Sequence, residues 1–103
     1  MINTLKKLFG IQPAPDYKQL VKDGGVILDV RTKAEYQQGH IRGSINIPLQ
    51  SLDNNISKLN RDKPVITCCA SGMRSGSAKM ILRSKGFSQV YNGGGWTSLR
   101  NKI

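Results

Sequence analysis

The chain has 103 residues, room for one compact domain. Its 16 Lys and Arg outnumber six Asp and Glu, for a net charge of +10. Apolar runs of four or five residues exclude a membrane span, and six aromatic residues with no zinc-finger spacing argue against nucleic acid as the partner of that charge.

The first ten residues carry Lys6 and Lys7 but no apolar stretch that would form a signal-peptide core. Residues 1–14 read as a lead-in, extended around Pro13 and Pro15, and residues 15–103 as the domain. Asp16 can cap a short helix running to Lys22, which Gly24-Gly25 ends. Val26–Val30 is an apolar strand interrupted only by Asp29, the pattern of a strand covered on both faces. Thr32 can cap a helix over 34–38 with Glu35 in its first turn, and Gly39 closes it. An ion pair of Arg31 with Glu35 is expected to hold this helix. Ile45 and Ile47 mark a short strand ended by Pro48, and Ser51–Leu59 has helical spacing. Pro64–Cys68 is a strand, and a helix continues to Lys85 and stops at Gly86. Gln89–Tyr91 is a last strand, and Trp96–Arg100 a terminal helix. Strands alternating with helices imply an α/β fold, a single central parallel sheet flanked by helices on both faces.

The most informative segment is Cys69-Ala70-Ser71-Gly72-Met73-Arg74. A cysteine at the end of a buried strand is followed by a small-residue loop that opens a helix. Unpaired N–H groups and the helix dipole at such a start favour an anion, so the Cys69 thiol should titrate low. Ser71 and Gly72 keep the loop free of bulk, and Arg74 offers a planar fork of donors suited to an oxyanion. Charge is also concentrated here: residues 63–103 hold seven basic residues and no acid, whereas residues 1–62 hold nine and all six acids. Such a field draws in anions. The neighbouring Cys68 reads as a small core residue, since successive strand residues face opposite ways. Two adjacent cysteines with no others offer no disulfide framework, which fits a reducing cytoplasm. With one histidine they are also too few for a zinc site.

The order strand-Cys-x-x-Gly-x-Arg-helix resembles the active-site loop of the rhodanese (sulfurtransferase) family. Two further blocks, Val26–Arg31 with Glu35–Pro48, and Gly93-Gly94-Gly95-Trp96, are similar to that family's other blocks in the right order, over residues 15–100. The resemblance implies a rhodanese-like fold and a sulfur transfer that needs no metal or organic cofactor. Cys69 would be the nucleophile, with Ala70, Ser71, Gly72, Met73 and Arg74 binding the substrate. Its partners would be a small anionic donor such as thiosulfate and a thiol or protein acceptor, the protein acting as a monomer or weak dimer. In that family the Gly-His-Ile turn looks structural, which gives His40 a supporting role, and Trp96 falls at the rim or in the core. Two rival readings remain open. Counting from Cys68 gives Cys-x5-Arg74, the signature of a cysteine phosphatase or arsenate-reductase type of chemistry. A non-catalytic carrier or adaptor would keep the fold alone.

Overall fold

The computed structural model describes residues 15–103. The lead-in expected over residues 1–14 lies outside these. Four strands form one parallel sheet: β1 (Val26–Asp29), β2 (Ile45–Asn46), β3 (Val65–Cys69) and β4 (Val90–Gly95), in the order β2-β1-β3-β4. Helix α1 (Tyr17–Lys22) precedes β1 and α2 (Lys33–Gln38) follows it; α3 (Met73–Ser84) follows β3 and α4 (Trp96–Arg100) ends the fold.

Alternation along the buried strands divides the core into two layers, one on each face of the sheet. Leu28 and Val30 with Val65 and Cys69 pack with Ala78 and Leu82 of α3. Ile27, Ile66 and Cys68 face the other way, toward Tyr17 of α1 and Leu99 of α4. Cys68 and Cys69 therefore belong to different layers, as their adjacency in a strand requires.

The caps sit where side-chain chemistry puts them. The Asp16 carboxylate accepts from the Gln19 N–H. Thr32 and Glu35 form a reciprocal capping box, each side chain satisfying the other's backbone N–H. Two segments depart from expectation. The stretch expected as a helix over Ser51–Leu59 is instead two short 3₁₀ pieces, Leu49–Ser51 and Asp53–Lys58. Leu52, Ile56 and Leu59 are buried as their spacing demands. The regular α-helical ladder is lost at Asn55, whose backbone (φ −126°, ψ 16°) leaves the helical region and whose amide donates to the Ser51 carbonyl at 2.7 Å. Strand β4 also runs longer than Gln89–Tyr91, because the triple glycine continues it to pair Gly95 with Cys69 across a register shift. A Cβ on Gly95 would stand 2.9 Å from the Ala70 carbonyl oxygen, so only glycine lets β4 pass this close to the loop.

The chain lays β2 on one side of β1 and β3 on the other, so the connections diverge beyond the carboxyl ends of β1 and β3. Ligands in open α/β sheets bind at such a divergence. There, Arg31 and Asp29 form a buried pair. Asp29 is fully buried and Arg31 is 4% exposed. The guanidinium donates from Nε and Nη2 to both carboxylate oxygens at 2.7–3.0 Å, and Nη2 also reaches the Gly39 carbonyl at 2.7 Å. The expected Arg31–Glu35 ion pair is thus replaced. Arg31 meets only the backbone carbonyl of Glu35, at 3.4 Å, because Asp29 two residues away on the same side captures its charge.

Removing one member of a buried pair strands the other charge, which costs about 3–5 kcal/mol. Asp29→Ala should therefore lower unfolding stability by an amount in that range, measured by urea titration. The half-exposed Glu35 should matter far less on substitution by Gln, which keeps the capping box; the exposed pair it breaks is worth about 0.2–1 kcal/mol.

Candidate active site

Cys69 is the last residue of β3 and only 1% exposed. The chain leaves it through Ala70 and Ser71 and enters α3 at Gly72, whose φ of 103° lies in the left-handed region that favours glycine. This turn folds the loop back over the sulfur. The Gly72 N–H donates to Sγ at 3.0 Å and the Ser75 N–H at 3.4 Å. Ser75, fully buried in the first turn of α3, adds a hydroxyl: the neutral Cys69 thiol donates to Ser75 Oγ at 3.4 Å.

The Ser75 hydroxyl in turn donates to Asn92 Oδ1 at 2.7 Å. Asn92 Oδ1 also accepts from the Gly94 N–H at 2.9 Å, and Nδ2 donates to the Gly72 carbonyl at 3.2 Å. Asn92 thereby fastens β4 to the loop turn. When Cys69 loses its proton, the Ser75 hydroxyl can turn to the sulfur while the Gly94 N–H still serves Asn92. On the far side, Thr67 Oγ1 donates to the Ser75 carbonyl at 2.8 Å, fixing the start of α3 on β3.

Burial pushes the Cys69 thiol up. Hydrogen bonds from the Ser75 hydroxyl and from the N–H groups of Ser75, Gly72 and Ser71 outweigh it, so the thiol titrates below the ordinary cysteine value of 9.0. The low titration expected from the sequence holds, with hydrogen bonds from the loop and Ser75 as its cause. Cys68 behaves oppositely: burial, then the nearby Asp29 charge, push its thiol up to about 12. It lies in the second core layer, away from the loop N–H groups, which removes the geometric basis of the Cys68-x5-Arg74 frame.

Arg74 is at the rim, but its fork is occupied. Nη1 and Nη2 donate to Glu35 Oε1 and Oε2 at 2.7 and 3.0 Å, with both side chains about one-third exposed. Ala70 is exposed and borders a cavity of about 350 Å³ shared with Arg31, Glu35, Gln38, Gly39 and Trp96. Met73 stands out from the rim at 82% exposure. Two guanidiniums lie over the Trp96 ring, Arg31 at 4.6 Å and Arg100 at 4.9 Å from its centre, and the indole both lines the cavity and packs on the core. His40 stacks on Tyr36 with ring centres 3.7 Å apart and bonds the Tyr36 carbonyl at 2.7 Å, a supporting contact at the end of α2.

Ser75 and Asn92 were not singled out by the motif. A signal for Ser75 exists, since it shares the buried helical face of Ala78 and Leu82, where a hydroxyl needs a polar partner. Nothing comparable marks Asn92, whose role depends on β4 running past the loop.

The thiolate of Cys69 should show as an inflection below 9.0 in the rate of alkylation against pH. Ser75→Ala removes the hydroxyl that favours the anion and should move that inflection upward; Asn92→Ala should leave Sγ its backbone donors and move it less.

Comparison with known proteins agrees with this geometry. Residues 13–102 match the family described as Rhodanese-like domain. The chain is 43% identical over 70 residues to thiosulfate sulfurtransferase PspE of Escherichia coli, covering 66% of this chain and 67% of that protein. It is 40% identical over 78 residues to uncharacterized protein YqhL of Bacillus subtilis, covering 75% of this chain but spanning only 62% of that relative's length. Among solved structures, a rhodanese with anions from E. coli superposes with a TM-score of 0.68 at 37% identity, over 72% of this chain and 89% of that one. Sheet order, the recessed cysteine at the strand end and the sequence match converge: the chain belongs to the rhodanese-like domain family.

Proposed function

We propose that this domain is a sulfurtransferase that carries sulfane sulfur on Cys69 as a persulfide. The observation that supports it most is the recessed Cys69 sulfur beneath the N–H groups of Gly72 and Ser75, at 3.0 and 3.4 Å. The relative PspE bears the name thiosulfate sulfurtransferase, and the same reaction accounts for the residues at this site.

In the first half-reaction the Cys69 thiolate attacks the outer sulfur of thiosulfate. An S–S bond forms to Cys69, the S–S bond of the donor breaks, and its electron pair leaves with sulfite. The product is Cys69–S–S⁻, whose charge the loop N–H groups of residues 70–74 and the α3 N-terminus would stabilise. In the second half-reaction a nucleophile, cyanide in an assay or a thiol, takes the outer sulfur and returns Cys69 to the thiolate. Charge balances in each half, and a covalent relay of this kind gives ping-pong kinetics. The domain would work where Cys69 stays reduced, as in the cytoplasm.

Incubation with thiosulfate should add the mass of one sulfur atom to Cys69, read by peptide mass spectrometry. Cys69→Ser should abolish both that gain and thiocyanate formation, because a hydroxyl is not an anion at neutral pH. Cys68→Ala should retain most activity. Hydrolysis of an aryl phosphate without any sulfur loading would instead favour the phosphatase chemistry.

A further inference from the structure

We propose that Glu35 sets the charge of the sulfur donor that this site accepts: by holding Arg74 in a two-point ion pair at the rim, it disfavours dianionic donors and favours monoanionic or neutral sulfane-sulfur carriers. This rests on the sulfur-transfer reading above and names the substrate class within it.

The chain carries +10 overall, yet the arginine of the Cys69 loop and the arginine at the end of β1 are each paired with a carboxylate. Arg31 is neutralised by Asp29 and Arg74 by Glu35. Glu35 is not a loose surface partner. Its Oε1 also accepts from the Thr32 N–H and Oγ1, both at 3.1 Å, so the capping box fixes the carboxylate before Arg74 arrives. An incoming anion that seeks the Arg74 fork must displace an oriented carboxylate and then remain beside its negative charge. The penalty grows with the anion's charge. The hydrogen bond from Arg74 and the Thr32 backbone bond hold the Glu35 carboxyl at about 2, so it stays ionised at any working pH. Glu35 also borders the 350 Å³ cavity with Ala70, so a donor entering beside the loop faces the carboxylate directly. Met73, 82% exposed at the rim, is apolar, which suits a donor that carries its sulfane sulfur on a carbon-bound sulfur, as a thiosulfonate or persulfide does.

The test is Glu35→Gln, because glutamine at this position preserves the capping box while removing the charge. Steady-state kinetics would compare thiosulfate, a dianion, with methanethiosulfonate, a monoanion, at fixed ionic strength. For thiosulfate, KM should fall by about three- to fivefold, the scale of an exposed ion pair, with kcat little changed. For methanethiosulfonate the fall should be smaller. Equal shifts for the two donors, no shift, or a rise in KM would overturn the proposal and reduce the pair to a structural brace.

A second measurement needs no turnover: protection of Cys69 from iodoacetamide by sulfate or methanesulfonate. Sulfate should protect Glu35→Gln at a lower concentration than wild type, by a larger factor than methanesulfonate does. If thiosulfate loads no sulfur on wild type while this difference appears, the transfer reading fails and the role of Glu35 stands. If loading occurs and the difference is absent, the reverse holds.

Discussion

The buried pair of Asp29 and Arg31 is the contact on which the rest of the site depends. Two charges withdrawn from water are tolerated only when geometry satisfies them, and here the carboxylate takes three donors from Arg31 itself, the backbone N–H included. Arg31 also donates to the carbonyls of Gly39 and Glu35 and lies over the face of Trp96. The end of β1, the end of α2 and the start of α4 are thereby drawn to one point. Asn46 completes the clasp by donating to the carbonyls of both Asp29 and Arg31, which binds in β2. The loop beyond β3 then has a rigid wall to fold against.

Two kinds of electrostatics operate within a few residues of each other. The inner pair is dry and acts as a fastener, since losing either partner leaves a charge with nowhere to go. The outer pair of Arg74 and Glu35 is wet and inexpensive to open. An exchangeable contact at a rim can tune which molecules enter without holding the fold together. The division explains why two arginines, both marked early as anion binders or helix braces, do unlike work.

Much of this was readable from residue types. Asp16 and Thr32 announce their helices by capping chemistry, and the continuous apolar runs Val26–Val30 and Pro64–Cys68 mark strands buried on both faces, the second ending one residue later in the fold, at Cys69. Cys69 is legible because strand, small residues and helix start are contiguous. What failed to show were choices between partners of equal chemical merit. Arg31 can reach Asp29 or the Glu35 carboxylate, and the preference is decided by desolvation at the strand end. Asn55 could continue a helix or bond Ser51, and the side-chain amide won. Asn92 acquires its role only through long-range pairing of β4 with β3, which no local pattern encodes.

The opposed orientation of Cys68 and Cys69 equips the protein with an internal clock. Neighbouring thiols normally confuse labelling experiments, but these two answer to different events. Cys69 reacts through the loop at a rate set by its thiolate fraction. Cys68, sealed between Ile27, Ile66 and Leu99 with its thiol held up at about 12, can be reached only when the layer under α1 and α4 comes apart. Its labelling rate therefore measures the free energy of that opening in the native protein, with the same thiol in the denatured chain as the reference for full exposure to reagent.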